Sequence, residues 1–184
     1  MDLQEITLER EKLQIQLEPD QLNLIINTIG NGCNLLIFGL GNDTPFWLKA
    51  NKNGRTIFIE NSKFWADKVM QACPEANCLM VKYGTKLSEY QELLDKPEKL
   101  TLELNDEIRN TKWDVILVDA PRGYEDEHPG RMKSIYEASN LVKKGGHIFV
   151  HDCNRTVEKV YTDKYLRPEN LVEEIRTLRH YIIK

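Results

Sequence analysis

A short apolar run that breaks into a glycine turn constrains this chain more than any other feature. The run from Leu35 to Phe38 is bounded by turn residues and is too short for an independent helix, which favours a buried central strand of a parallel sheet. Gly39 and Gly41 follow, and because they lack a Cβ the backbone turns tightly and a ligand can approach it. Asp43 is expected to cap the next helix. This order of strand, glycine turn and helix is typical of an α/β domain that binds a nucleotide-like ligand at the carboxyl edge of its sheet.

An acidic residue, Glu60, ends the next predicted strand, which runs over 56–60. A carboxylate about 20 residues after a glycine turn is placed to accept hydrogen bonds from the two hydroxyls of a ribose. The structural alternative is a solvated glutamate at a strand end. We therefore predict that Glu60 binds a ribose next to the glycine turn.

Composition excludes several classes of protein. The 184 residues, 41% hydrophobic and 29% charged, suit one globular domain over 1–184, with residues 1–17 as an N-terminal arm. A net charge of −4 argues against a nucleic-acid partner, and no apolar run approaches the roughly 20 residues of a membrane span. The polar N-terminus is unlike a signal peptide, and the four cysteines lack zinc spacing and are expected to be reduced thiols, as in a cytoplasmic protein.

Strand and helix patterns alternate along the rest of the chain. This alternation predicts a Rossmann-like α/β fold, a mostly parallel sheet with helices on both faces. The predicted strands are 35–38, 56–60, 78–82, 113–119, 147–150 and 178–183. The predicted helices begin at Pro19, Asp43, Ser62, Arg131, Thr156 and Glu169.

Four local patterns give further expectations. Alternating apolar residues over 13–17 predict a short edge strand or an extended arm, and those over 100–104 predict another short strand. The helix after Ser62 is expected to bury Phe64, Trp65, Val69 and Met70. Gly145 and Gly146 are expected to end the helix that begins at Arg131.

The carboxyl ends of parallel strands meet at one edge of a sheet, so the segments that follow them form the predicted ligand site. These segments are Gly39–Asp43, Glu60, Tyr83–Thr85, Asp119–Gly123 and His151–Arg155. A nicotinamide dinucleotide would need a third glycine where this chain has Thr44, which disfavours a dehydrogenase. S-adenosylmethionine has no pyrophosphate, and its binding suits the looser turn better.

Six segments in order resemble the plant polysaccharide methyltransferase family, which includes glucuronoxylan 4-O-methyltransferases. These segments are Cys33–Asp43, Gly54–Glu60, Tyr83–Leu87, Trp113–Tyr124, Pro129–Met132 and His151–Arg155. The resemblance implies a class I methyltransferase fold and methyl transfer from S-adenosylmethionine to O-4 of a glucuronosyl residue on a glycan such as xylan, aided by a divalent metal. It also implies the sheet order 3-2-1-4-5, with one or more further strands beyond. Plant members carry an N-terminal membrane anchor and a stem, neither of which is expected here, so the Golgi lumen is expected only for a truncated plant-type enzyme. The short C-terminal part of this chain predicts an incomplete final antiparallel hairpin.

By the resemblance and the geometry, the cofactor contacts fall on the first, second and fourth strand ends and on the turn after the third strand. Gly39 and Gly41 would approach the methionine part, Glu60 would bind the ribose, and the turn over 83–85 would border the adenine. The full predicted set is Gly39, Gly41, Asn42, Asp43, Glu60, Tyr83, Gly84, Thr85, Asp119 and Pro121.

A sugar hydroxyl is a weak acid, so its methylation needs a base or a metal ion. Asp119 and Asp152 end neighbouring strands and, with Asn154 nearby, could ligate a divalent cation through oxygen. His151 is the alternative base. The structural alternative for both aspartates is loop capping by hydrogen bonds to the backbone.

Three arginines, Arg122, Arg131 and Arg155, flank the same edge. Because a guanidinium matches a carboxylate with two parallel hydrogen bonds, we expect one of them, Arg131 or Arg155, to bind a uronic acid acceptor. A surface arginine paired with the acidic run over 125–127 is the alternative. The other functions compatible with the sequence are O-methylation of a small metabolite and non-catalytic binding of a nucleotide-like ligand.

Overall fold

The computed structural model describes residues 1–184 and contains one seven-stranded sheet of order β3-β2-β1-β4-β5-β7-β6. Neighbours from β3 through β5 pair in parallel, and β7 pairs antiparallel with both β5 and β6. The predicted order 3-2-1-4-5 is confirmed, whereas the expectation of an incomplete final hairpin is wrong. The strands are β1 Asn34–Phe38, β2 Arg55–Glu60, β3 Asn77–Met80, β4 Trp113–Val118, β5 Val142–Val150, β6 Leu171–Ile175 and β7 Leu178–Ile182.

Eight α-helices connect these strands, and three short 3-10 turns lie at 87–89, 97–99 and 168–170. Every helix is too short or too polar to cross a membrane. The helices are α1 Leu3–Leu13, α2 Pro19–Ile29, α3 Thr44–Ala50, α4 Lys63–Ala72, α5 Tyr90–Leu93, α6 Asp106–Asn110, α7 Met132–Leu141 and α8 Thr156–Tyr165.

The central strand β1 divides the core into two layers. Leu36 and Phe38 belong to one cluster of 24 buried residues, and Leu35 and Ile37 belong to a second cluster of 20. Since neighbouring residues of a strand point to opposite faces, a wholly apolar strand is required where helices cover both faces. This is the physical reason that the run before the glycine turn could be recognised as a central strand.

The edge strand expected over 13–17 is absent, and residues 3–13 of the predicted N-terminal arm form helix α1. Asp2 caps this helix by accepting a hydrogen bond from the Glu5 N–H at 2.8 Å. Ile15 and Leu17 are buried as expected, but they lie in the turn between α1 and α2. Their alternation therefore reflects burial in a connecting segment and not strand pairing.

Two further predictions fail where backbone pairing overrides local pattern. Gly145 and Gly146 lie inside β5 and not after a helix, and the Gly145 N–H and Gly146 C=O bond to Ile183 next to β7. The segment after Glu169 forms strand β6 at the sheet edge and not a helix. In both places a partner far away in the sequence determines the structure.

The strand predicted over 100–104 is absent, and the alternation of apolar residues there has another cause. Leu100 and Leu102 are buried, and the Leu102 N–H donates to the buried carboxylate of Glu137 at 2.5 Å. Arg109 on α6 binds the same carboxylate through two nitrogens, at 2.6 and 2.8 Å. The ion pair of Glu137 and Arg109 therefore binds backbone groups that would otherwise have paired with a neighbouring strand.

Candidate active site

An open cavity of about 620 Å³ lies at the carboxyl ends of the parallel strands. Its wall combines residues from four of the five strand-end segments predicted to share this edge. The predicted residues that line it are Gly39, Gly41, Asn42, Asp43, Glu60, Asp119, Pro121, Arg122, Arg131, Asp152 and Arg155. The cavity is large enough for a ligand of the size of a nucleoside derivative.

The glycine turn closes tightly against the end of β4. Gly39 has φ of +128°, which side-chain-bearing residues rarely adopt, and a Cβ there would lie 3.2 Å from the Cβ of Ala120. Its N–H donates to the Ile59 carbonyl of β2 at 2.8 Å. Glycine is therefore favoured at position 39 for two reasons. Other residues rarely adopt this φ, and a Cβ would crowd the Ala120 side chain after β4.

Asp43 precedes helix α3, but its side chain does not cap the helix as expected. Its Oδ2 accepts a hydrogen bond from the Trp47 indole N–H at 2.7 Å. Burial and the nearby charge of Asp119 raise the pKa of Asp43 to about 6. No arginine, lysine or histidine forms an ion pair with this carboxylate, so it is an uncompensated acidic group on the cavity wall.

Glu60 is buried between the glycine turn and the N-terminus of α4. Its Oε1 accepts hydrogen bonds from the N–H groups of Asn61 and Ser62 at 2.7 and 2.6 Å, and its Oε2 accepts from Leu40 at 3.0 Å. These donors fix the orientation of the carboxylate at the cavity wall. A carboxylate can accept about four hydrogen bonds, so acceptor capacity remains for a ligand.

Asp119 and Asp152 are joined by one buried guanidinium. Nη2 of Arg131 lies 3.2 Å from Oδ1 of Asp119 and 2.7 Å from Oδ2 of Asp152. The other contacts of Arg131 are to the carbonyls of Asp119, Pro121 and His151. Every contact of the Arg131 guanidinium is therefore with another group of the protein. A second arginine, Arg155, lies 3.1 Å from Asp152 Oδ2.

The backbone of Asp152 is unusual, with φ of +62° in the left-handed region. Aspartate is among the few residues that adopt this conformation at modest cost. This conformation follows directly after β5 and places the side chain against both Arg131 and Arg155. The dyad of Asp119 and Asp152 thus depends on a local backbone conformation that no sequence pattern indicates.

His151 supports Asp119 from outside the cavity wall. Its Nδ1 lies 2.9 Å from Asp119 Oδ1, and because an ionised carboxylate only accepts hydrogen bonds, Nδ1 carries the proton. Burial opposes the ionisation of Asp119, but the His151 hydrogen bond and the charge of Arg131 outweigh it and lower the pKa of Asp119. His151 itself is buried and does not line the cavity.

One oxygen of each dyad carboxylate has no partner in the chain. Every hydrogen bond or ion pair of Asp119 uses Oδ1, and every ion pair of Asp152 uses Oδ2. Asp119 Oδ2 and Asp152 Oδ1 are therefore available to a ligand in the cavity. This pair of oxygens is the part of the site best placed to contact a hydroxyl group.

The dyad fits a divalent cation poorly. Ligand atoms of Asp119, His151 and Asp152 lie within 4.8 Å of one another, but Asn154, the predicted third ligand, is exposed and does not line the cavity. Arg131 and Arg155 already balance the charges of both carboxylates. A divalent ion would have to displace or repel the two guanidinium groups that already pair with these carboxylates, which is electrostatically unfavourable.

The residues predicted to border the adenine lie away from the cavity. The hydroxyl of Tyr83 is buried against Ser134 at 2.9 Å, and Thr85 donates to the Pro129 carbonyl at 2.8 Å. Gly84 is exposed and does not line the cavity either. These three residues instead support the loop between β4 and α7.

The cavity also includes side chains that sequence reasoning missed. Phe64 and Trp65 were expected to be buried, but Phe64 is 69% exposed, and both line the cavity. Tyr124 and the segment 14–16 also contribute to the wall. A usable signal existed for Phe64 and Trp65: α4 begins directly after Glu60, so its first turn must lie at the same sheet edge.

Comparison with known proteins agrees with this geometry. A family model described as IRX15/IRX15L/GXM matches residues 20–103 and 97–181. Protein IRX15-LIKE of Arabidopsis thaliana is 40% identical over 177 residues, covering 83% of this chain and 56% of that protein. Glucuronoxylan 4-O-methyltransferase 2 of the same plant is 37% identical over 172 residues, covering 82% and 59%. The chain thus spans less than two thirds of the length of these relatives.

Solved structures show the fold at much lower sequence identity. A putative caffeoyl-CoA O-methyltransferase from Staphylococcus aureus has a TM-score of 0.60 and 16% identity, covering 97% of this chain and 92% of that one. The fibrillarin pre-rRNA processing protein of Methanococcus jannaschii has a TM-score of 0.56 and 15% identity, covering 90% and 74%. The fold is the Rossmann-like class I methyltransferase fold, and the chain belongs to the IRX15/IRX15L/GXM family.

Proposed function

We propose that this protein transfers a methyl group from S-adenosylmethionine to a hydroxyl group of a glucuronic acid-bearing glycan. The observation that carries the proposal is one cavity lined by the glycine turn, Glu60, and the dyad of Asp119 and Asp152. Relatives named as glucuronoxylan and arabinogalactan methyltransferases support the glycan as acceptor. The cytoplasmic location expected from the sequence stays a prediction.

Asp43 is suited to bind the positively charged end of the donor. Asp43 and Glu60 are the cavity carboxylates without a cationic partner, but three backbone N–H groups already bind Glu60, whereas Asp119 and Asp152 are paired with arginines. S-adenosylmethionine carries an ammonium and a sulfonium group, so its ammonium would neutralise Asp43. Glu60, with acceptor capacity left on Oε2, would bind the ribose hydroxyls.

Asp119 is suited to hold the acceptor and to take its proton. S-adenosylmethionine supplies an activated methyl group and its own leaving group, a neutral sulfide. Oδ2 of Asp119 would accept the hydrogen bond from the acceptor hydroxyl and align its oxygen with the methyl group. As the oxygen–carbon bond forms and the carbon–sulfur bond breaks, the hydroxyl proton passes to Asp119.

Arg131 and His151 keep this carboxylate in place during the transfer. Both contact Oδ1 of Asp119, which leaves Oδ2 directed to the ligand and fixes the plane of the carboxyl group. His151 is therefore a positioning residue in this proposal and not the base that the sequence also allowed. No step is assigned to a metal ion, because the charges of the dyad are already balanced.

Calorimetry with S-adenosylmethionine, its demethylated product and NAD tests the cofactor. We expect heat of binding with the first two and none with NAD. Methyl transfer to glucuronoxylan is then measured with a chelator in one arm and Mg²⁺ in the other, and we expect the two arms to agree. Binding without turnover on any acceptor would favour the non-catalytic alternative, and binding of NAD alone would reject the proposal.

Acidification should weaken the binding of S-adenosylmethionine. The pKa of Asp43, about 6 in the fold against 3.8 ordinarily, means that the carboxylate gains a proton as the pH falls through about 6 and loses its attraction for a cation. Calorimetry between pH 5 and 8 should show the loss of affinity centred near pH 6. Asp43→Asn should bind weakly at every pH in this range, with a flat profile.

Asp43→Asn, which should weaken donor binding, should increase the stability of the fold at high pH. Because the fold raises the pKa of Asp43, it favours the protonated form, and this contribution to stability is lost as the pH rises through about 6. Asp43→Asn should therefore melt at a higher temperature than the wild type at pH 8, with little difference at pH 4. Asp67→Asn, an exposed change on α4, is the matched control. Lower stability of Asp43→Asn at pH 8 would contradict the prediction.

A further inference from the structure

Arg122 is the one arginine of the chain that makes no ion pair. It is exposed, it lines the cavity, and its guanidinium donates no hydrogen bond within the protein. Arg131 and Arg155, the arginines favoured from the sequence as a carboxylate clamp, are both committed to the dyad. Arg122 is therefore the cation of the cavity that is available to an anionic ligand.

Tyr124 lies two residues further along the same loop and presents an aromatic ring at the cavity. Its side chain is 63% exposed although it lines the wall. The ring of His128 packs edge-on against it, with ring centroids 4.3 Å apart and an interplanar angle of 76°. An exposed aromatic ring that is supported by a neighbour can pack on the apolar face of a ligand at little entropic cost.

Hydrogen bonds hold the loop that carries both residues. The Gly130 N–H donates to the Arg122 carbonyl at 3.1 Å and closes the base of the loop. The His128 N–H donates to the Glu125 carbonyl at 3.0 Å, and the Glu125 N–H donates back to His128 Nδ1 at 3.2 Å. These bonds order the backbone of the loop that carries Arg122 and Tyr124, as a binding subsite requires.

The same loop is also tied to the segment after β3. The Leu87 N–H donates to the His128 carbonyl at 2.6 Å, and the Ser88 N–H donates to the Asp126 carbonyl at 3.2 Å. Thr85 adds a third bond to this loop at Pro129. The segment 85–88, which includes part of the turn predicted to border the adenine, thus supports the loop that carries Arg122 and Tyr124.

We propose that Arg122 and Tyr124 form a sugar-acid subsite of the cavity. Arg122 binds the carboxylate of the uronosyl residue through paired hydrogen bonds, and Tyr124 packs on the apolar face of a pyranose ring. This inference rests on the proposed function and adds the residues that select an acidic sugar over a neutral one. The uncompensated Asp43 and the unpaired Arg122 then match a cationic donor and an anionic acceptor.

Binding of two acceptors to the protein saturated with the demethylated donor tests the subsite. The probes are a xylo-oligosaccharide that carries one glucuronosyl residue and the same oligosaccharide without it. We expect wild-type protein to prefer the acidic probe, and Arg122→Gln to weaken its binding about 10-fold or more. Tyr124→Ala should weaken binding of the acidic probe about 3- to 10-fold, and Tyr124→Phe should leave it unchanged.

The affinity for S-adenosylmethionine separates the possible outcomes. The donor affinity should be unchanged in Arg122→Gln. The control Arg167→Gln, at an exposed arginine that lies 4.0 Å from Glu169, should change the affinity for neither the donor nor the acidic probe. If Arg122→Gln weakens the donor and not the acidic probe, Arg122 binds the donor carboxylate and the inference is wrong. Equal binding of both probes to the wild type also overturns it. Absence of donor binding in the wild type would instead reject the proposed function.

Discussion

Asp119→Asn should reduce the rate of methyl transfer by about 10²- to 10⁴-fold, the usual contribution of a general base. The amide keeps the size of the side chain but removes the negative charge that takes the hydroxyl proton. Donor binding should change little, because in the proposal Asp43 and Glu60 bind the donor. The rate loss should appear in kcat under saturating donor and acceptor.

A comparison of variants separates chemistry from folding. His151→Gln removes the hydrogen bond to Asp119 Oδ1 and leaves Oδ2 in the cavity, so it should lower kcat less than Asp119→Asn. Thermal unfolding and calorimetry with the demethylated donor, run on each variant, show whether the fold and the donor site persist. Full turnover of a folded Asp119→Asn protein would remove Asp119 from the mechanism.

The central sheet was readable from the sequence because its strands are buried on both faces. The run Leu35–Phe38 of β1 must be apolar throughout, and a turn must follow at its carboxyl end. These requirements are local, so they leave a local pattern. The same pattern predicted that Gly39, Glu60 and Asp119 lie at one edge, and all three line the cavity.

The failures have the opposite physical origin, since each depends on a partner distant in the sequence. Leu171–Ile175 forms an edge strand only because β7 pairs with it, and its own Glu-rich composition suits a helix as well. Likewise, Gly145 and Gly146 match a helix terminus until pairing with the segment after β7 makes them part of β5.

The electrostatic design of the site was even less accessible. The sequence predicted that Asp119, Asp152 and three arginines lie at one edge, but not which arginines would form ion pairs with the carboxylates. That choice depends on the left-handed backbone of Asp152 and on the path of the loop that returns to Arg131. Pairing of Arg131 and Arg155 leaves Arg122 free, so our proposed subsite uses Arg122 in place of the arginines favoured from residue type and position.

Arg131→Gln should lower the free energy of unfolding by about 3–5 kcal/mol, the range for removing one partner of a buried ion pair. Arg131 is buried, and its loss leaves Asp119 and Asp152 facing each other without the guanidinium between them. It also leaves the carbonyls of Pro121 and His151 without their donors. Chemical denaturation at pH 7 measures the change.

Two companion variants show whether charge or geometry is responsible. Arg131→Lys keeps the charge but lacks the planar fork that reaches both carboxylates and the backbone, so it should recover only a minor part of the loss. Arg155→Gln removes a partly exposed side chain that pairs with Asp152 at 3.1 Å and with the buried Glu158 at 3.9 Å, and should cost less than Arg131→Gln. Arg131→Gln should also be less destabilising at pH 3 than at pH 7, because the fold lowers the pKa of Asp119 and the stabilisation by its ion pair with Arg131 is lost as the pH falls. An equal loss at both pH values would mean that packing, and not the paired charges, makes Arg131 necessary.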